Sequence, residues 1–296
     1  MRAEIRPTTP ARRFALLSRV SVTCAAILAV MLGGFWLARW TGLGSGGSPY
    51  GFRATAFAVV AAGFALTHAW ASWGPRFALR FFYVAIATSL ATEMVGVKTG
   101  LVFGSYAYAA DFGPKILGLV PLIIPLIWFS ISYLASATSD AIVGRGAASR
   151  AAALSAGLLL VYDLVADPNH VFRGGWSYAG GGLFHGVPLR NFVAWYAIGL
   201  AMFWLLLRGG RSRDLARVST PSHVALAAFA YVGIVTHESL FAFFVSGLPA
   251  AGAVGLALVA VTAVLLARVF GAGRRGAFRV GLPPQTGAVS SRGTRG

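Results

Sequence analysis

The chain has 296 residues, of which 57% are hydrophobic and only 11% charged. Soluble domains carry about 25% charged residues, so this deficit excludes an ordinary soluble enzyme, a disordered polymer and a collagen-like fibre, and points to helices solvated by lipid. The net charge of +17 raises nucleic-acid binding as a reading, which the placement of the basic residues decides.

An Arg-bearing tail, residues 1–13, precedes the first of eight hydrophobic spans. These are Phe14–Arg39, Arg53–Trp73, Phe77–Val95, Leu117–Thr138, Ala151–Ala166, Phe192–Leu207, Val224–Ser246 and Ala250–Phe270. A backbone in lipid must satisfy its own polar groups, so the expected fold is all-α, a polytopic transmembrane helical bundle. Residues 14–270 form one transmembrane catalytic domain on this reading. Residues 271–296, rich in Gly, Arg, Pro and Ser, read as a disordered basic tail. The first apolar segment is too long for a cleaved leader and reads as a retained helix. A lone cysteine, Cys24, excludes an internal disulfide and a cysteine metal cluster.

Basic residues alternate between loops. Arg2, Arg6, Arg12 and Arg13, then Arg76 and Arg80, Arg145 and Arg150, and Arg208, Arg211, Arg213 and Arg217 fall on one side, as does the Arg-rich C-tail. The other side holds Arg53, Lys98, Lys115, Arg173 and Arg190. The positive-inside rule therefore expects both termini in the cytoplasm and a multi-pass protein of the cytoplasmic membrane. The excess charge becomes orientation and contact with anionic lipid, and no nucleic-acid partner is expected.

Two loops on the opposite side, 96–116 and 167–190, are rich in Gly and aromatics and poor in charge, which suits chain folded into the membrane interface. Pro121 and Pro125 either kink the fourth span or shape its packing. The eight acidic residues sort individually. Glu4, Asp140 and Asp214 read as solvated surface and Asp111 as a loop residue. Glu93, Asp163 and Glu238 fall at similar depth in the outer half of three spans, where a carboxylate is costly unless paired, hydrated or protonated. That level invites a shared polar pocket; the alternative is an acid that snorkels to the interface. Asp167 follows the fifth span in Asp-Pro-Asn, a sequence that also suits a turn and cap. His68 reads as a packing or hydrogen-bonding residue. His170 and His185 lack metal-ligand spacing, and no metal site is expected. No protease, hydrolase, phosphate-loop or dinucleotide motif is present.

Three blocks carry a family resemblance. The first is Glu93-Met-Val-Gly96-Val-Lys-Thr99-Gly100-Leu-Val-Phe103-Gly104-Ser-Tyr106-Ala-Tyr108, and the second Gly118-Leu-Val-Pro121-Leu-Ile-Ile-Pro125-Leu-Ile-Trp128. The third is Asp163-Leu-Val-Ala-Asp167-Pro168, followed by Gly175-Trp176 and by Gly186-Val-Pro188-Leu-Arg190-Asn191-Phe192-Val-Ala-Trp195. Over about Phe77 to Trp195 the chain resembles carotenoid-biosynthesis membrane proteins of the CruF type, the acyclic carotenoid 1′,2′-hydratases. The resemblance implies addition of water across the C1′–C2′ double bond of an acyclic ψ end group, giving a 1′-hydroxy carotenoid. It implies lycopene, γ-carotene or a C50 relative as substrate, no cofactor, membrane lipid as surroundings, and other carotenoid enzymes as possible partners.

Hydration of a trisubstituted alkene needs an acid for C2′ and a base that positions the water which captures the cation at C1′. Glu93 and Asp163 suit such a pair in either order, with Asp167 and Glu238 the further catalytic candidates. Candidates for binding substrate are Thr99, Phe103, Tyr106, Tyr108, Trp128, Trp176, Asn191 and Trp195. Aromatic faces stabilise a cation, although an interfacial belt also explains most of these rings, and Asn191 either orients water or caps a helix. Two other functions fit a membrane chain with buried acids: a carotenoid isomerase or cyclase, which adds no water, and a small-solute transporter, against which stands the lack of paired broken helices in repeated halves. A structural subunit would not need such loops.

Overall fold

The computed structural model describes residues 9–41, 52–144, 148–208 and 221–280. Among them, eight helices are long and apolar enough to cross a membrane. They are α1 (Thr9–Thr41), α2 (Phe52–Trp73), α3 (Pro75–Thr99), α4 (Ile123–Val143), α5 (Ala148–Phe172), α6 (Leu189–Leu207), α7 (Pro221–Phe244) and α8 (Pro249–Val280). The expected spans are all present. An even number of crossings returns the chain to the side on which it starts. Glu4, Asp214 and the tail beyond Val280 lie outside the described residues, and α8 continues past the expected span end at Phe270.

α4 and α5 are the most buried spans and α1 the least. α4 packs against α2, α3, α5 and α7, while α1 rests chiefly on α2 with a smaller contact to α7. Trp36 Nε1 of α1 donates to His237 Nδ1 of α7 at 3.1 Å, beside an edge-on contact of Phe35 with the same imidazole.

Hydrophobicity misplaces several boundaries. The segment from Leu117 does not begin α4. Instead β2 (Lys115–Ile116) pairs antiparallel with β3 (Val120–Pro121), and the turn uses left-handed backbone at Leu117 and Gly118. Pro121 therefore lies in a strand. Pro125 lies in the first turn of α4, where a helix leaves N–H groups unused anyway, so the expected kink has no basis. α5 does not stop before Asp-Pro-Asn: Pro168 lies inside the helix, which runs on to Phe172. Asp167 and His170 are helical residues, not loop residues. Asp140, expected on a solvated loop, is buried in the last turn of α4.

The two Gly- and aromatic-rich loops meet on one side of the bundle. β1 (Tyr106–Tyr108) pairs antiparallel with β4 (Trp176–Tyr178) in the register Tyr106↔Tyr178, Ala107↔Ser177, Tyr108↔Trp176. This ribbon joins the loop after α3 to the loop after α5.

Small residues let α8 come close to its neighbours. A Cβ on Gly255 would fall 2.6 Å from Val165 Cγ2 of α5 and 3.1 Å from Ser239 Cβ of α7, and one on Gly252 would fall 2.7 Å from the Ser239 carbonyl oxygen. Gly255→Leu is expected to destabilise the protein by about 1–3 kcal/mol, read as an earlier thermal unfolding transition in detergent.

Candidate active site

Beneath the β1–β4 ribbon lies a cavity of about 1050 Å³. Its far wall comes from α1 and α2 and is largely apolar, including Met31, Phe35 and Phe57, but also carries Arg39 and Arg53; the ribbon end is polar. Of the twelve residues singled out in the sequence, Glu93, Asp163, Asp167, Glu238, Phe103, Tyr106, Tyr108, Trp128, Trp176, Asn191 and Trp195 line it. Thr99 does not. It is exposed, and its hydroxyl donates to Val95 O at 2.6 Å, closing the last turn of its own helix.

Glu93 is buried near the end of α3. Its Oε2 accepts hydrogen bonds from the Tyr106 hydroxyl and, at 2.7 Å, from the Tyr108 hydroxyl; Oε1 accepts from Trp128 Nε1 at 3.1 Å. The sequence around it explains the fit. A Cβ on Gly96 would sit 3.0 Å from Phe103 and 3.1 Å from Tyr106, so the glycine lets these rings lie closer across α3 than a larger residue would. Gly100 ends the helix in the left-handed conformation (φ 66°), its N–H donating to Gly96 O at 2.8 Å. Arg190 at the start of α6 donates to the Gly100 carbonyl. The chain then turns back as β1, and the period of two in a strand puts Tyr106 and Tyr108 on the same face.

Asp163 and Asp167 stand one turn apart on α5, both buried. Asn191 Nδ2 donates to Asp163 Oδ2 at 2.9 Å and to Asp167 Oδ2 at 2.6 Å, and the Tyr178 hydroxyl donates to Asp167 Oδ2 at 3.0 Å. Asn191 therefore bridges the two aspartates, and at the start of α6 it makes no side-chain cap. Tyr106 and Tyr178, their rings 5.5 Å apart, connect the Glu93 and Asp167 halves of the cluster. The tight group is Glu93, Asp163 and Asp167. Glu238 was expected at the same level; it lines the cavity but is held by Asn169, whose Nδ2 donates to both its carbonyl and its Oε2 at 2.9 Å. Ser246 Oγ in turn donates to Asn169 Oδ1 at 2.9 Å.

Aromatic rings pave the polar end. Trp128 and Trp195 stack at 4.1 Å between centroids, with Phe103 against both. Trp176 stacks on His170 at 4.5 Å and meets Tyr108 edge-on. Tyr178 and Asn169 escaped the sequence reading as site residues. The Trp-Ser-Tyr alternation at 176–178, matching Tyr-Ala-Tyr at 106–108, is the signal that would have found Tyr178. Asn169 carried none. Among the described residues, no three His, Cys, Asp or Glu side chains are placed to hold a metal ion.

The ribbon phenols lie outside the spans. Burial first, and then the facing Glu93 carboxylate, holds the Tyr106 and Tyr108 hydroxyls well above the ordinary value of about 10. Burial and then Asp167 do the same for Tyr178. A phenol whose value is raised by folding contributes stability that is full below its unfolded value and is lost as pH rises. Alkaline titration followed at the tyrosinate absorbance should therefore leave these three unionised above pH about 10 until the protein unfolds. Tyr178→Phe should flatten the loss of stability in that window.

Comparison with known proteins bears on this geometry. Residues 53–264 match the family described as carotenoid biosynthesis protein. A bisanhydrobacterioruberin hydratase of Haloarcula japonica is 36% identical over 113 residues, which is 38% of this chain and 38% of that protein. The aligned stretch thus spans well under half the length of that curated relative. No solved structure matches. The family match runs from the start of α2 into α8 and takes in every residue of the carboxyl cluster and its ribbon, so the chain belongs to the carotenoid biosynthesis protein family.

Proposed function

We propose that this protein is a carotenoid hydratase that adds water across the C1′–C2′ double bond of an acyclic ψ end group. The observation that carries this reading is the clustering of Glu93, Asp163 and Asp167 at the ribbon end of a cavity whose remaining lining is mostly apolar. A polyene rod dissolves only in lipid, and its reacting end needs acid, base and water together. The hydratase activity named for the Haloarcula japonica relative favours water as the nucleophile over isomerisation or cyclisation.

The donor pattern suggests a division of labour. Glu93 receives three hydrogen bonds from neutral donors, an arrangement suited to a carboxylate. Asp163 receives only one, from the amide that also serves Asp167. Two carboxyls bridged by one amide share a single proton more easily than two negative charges. The Asp163–Asp167 pair delivers its proton to C2′, the π electrons form the new C–H bond, and C1′ is left as a tertiary cation. The faces of Trp128 and Trp195 and the Glu93 carboxylate stabilise that cation, each ring by about 0.5–2 kcal/mol. Water then bonds to C1′ through oxygen and gives a proton to Glu93, from which it returns to the aspartate pair. One water is consumed and nothing is oxidised or reduced. The substrate class is lycopene, γ-carotene or a C50 relative, and the setting is the cytoplasmic membrane with both termini in the cytoplasm.

Expression in a lycopene-producing host, with mass analysis of the pigments, should show products heavier by one or two waters. Glu93→Gln and Asp163→Asn should each lower turnover by about 100-fold or more while the protein remains in the membrane; full activity in both would overturn the acid–base assignment. Reporter domains fused to either terminus should be active only in the cytoplasm.

A further inference from the structure

A second cavity of about 310 Å³ lies at the opposite end of the bundle, on the side of the termini, and nothing in the chemistry above uses it. Its polar lining is His68, Ser72, Tyr133 and Asp140. His68 bonds the Tyr133 hydroxyl through Nδ1 and the His223 carbonyl through Nε2 at 2.7 Å, so the imidazole is fixed in place.

Between the two cavities runs α4. Trp128, whose indole N–H holds Glu93, lines the first cavity, and Asp140 lines the second. Ser132 and Ser136 fall between them at successive intervals of four residues, so the four side chains form a column one turn apart over about 18 Å. Both serines are completely buried, and neither hydroxyl has a hydrogen-bond partner in the protein. Ser89, one turn below Glu93 on α3, is in the same condition. This is not how hydroxyls behave elsewhere in these helices. Thr67, Thr92, Ser130, Ser155 and Ser239 each bond the carbonyl four residues back. An unmatched buried hydroxyl is costly, and the usual remedy in a polar interior is bound water. Thr138, also without a partner, stands about 200° around α4 from Ser136 and off this column.

The geometry points to a water path along α4, from the cavity at His68 and Asp140, past Ser136, Ser132 and Ser89, to the carboxyl cluster. Its ligand is water. Its purpose rests on the hydration reading: each turnover consumes one water at a site whose large cavity is occupied by a polyene, and a second route supplies that water without passing the substrate.

Two measurements test it. In a Cys24→Ala background reconstituted in liposomes, Ser136→Cys should react with a small cationic methanethiosulfonate added on the side of the termini. Leu134→Cys, equally buried but on the opposite face of α4, should stay unmodified. Equal inertness of the two overturns the path. In the kinetic arm, Ser136→Leu should lower kcat about tenfold with the KM for carotenoid unchanged, while Ser136→Ala, which keeps the space, stays within about twofold of wild type. An unaltered kcat in Ser136→Leu, or a rise in KM alone, also overturns it. Labelling of Ser136→Cys combined with no carotenoid turnover by the wild-type protein supports the path and removes the hydration reading it serves.

Discussion

Burying a carboxyl group between lipid-facing helices is the constraint on which the rest of this structure depends. Glu93 takes none of its hydrogen-bond donors from α3 itself. It takes them from two other elements, β1 and α4. Those donors must arrive from the loop side, so the chain after α3 has to reverse within a few residues and lie across the helix end. Gly96 and Gly100 permit that reversal, and pairing with β4 holds it. The same ribbon brings Tyr178 to Asp167. One electrostatic requirement therefore explains the glycines, the strands and the aromatic density of two loops that would otherwise seem overbuilt for connections.

The bundle was largely legible in the sequence, because hydrophobic length in lipid has few structural solutions. All eight spans emerged from it. The errors lie where a local conformation competes with hydropathy. Leu117 to Leu122 is as apolar as a helix start, yet the glycine and the strand-compatible Val120-Pro121 pair favour a hairpin. Asp-Pro-Asn is a good turn sequence in water. Inside the bundle, Asp167 and Asn169 have partners on α6, β4 and α7, and these tertiary bonds hold the helix through Pro168.

The site was legible as a set of residue types rather than as a pairing. Scarcity of acids drew attention to carboxyls that line the cavity, but depth along a span says nothing about azimuth. Depth grouped Glu238 with Glu93 and Asp163, whereas the fold brings in Asp167, one turn from Asp163, and leaves Glu238 to Asn169. Thr99 illustrates the converse. It belongs to the same motif as Glu93, yet its work is to finish a helix. Asn191 could not be assigned between capping and orienting until α5 and α6 were placed side by side.

The pleat of the β1–β4 ribbon has a consequence for how such loops tolerate change. Tyr106, Tyr108, Trp176 and Tyr178 share the inner face, while Ala107 and Ser177 are exposed. A shift by one residue in either strand exchanges the two sets, leaving a methyl where a phenol held a carboxyl. Length in the connections to the ribbon is therefore quantised. Insertions are accommodated at the turns around Gly113 and Gly180, where an added Cβ meets open space, whereas a single extra residue between Gly100 and Tyr106 dismantles the carboxyl-bearing end of the cavity while leaving every membrane span intact.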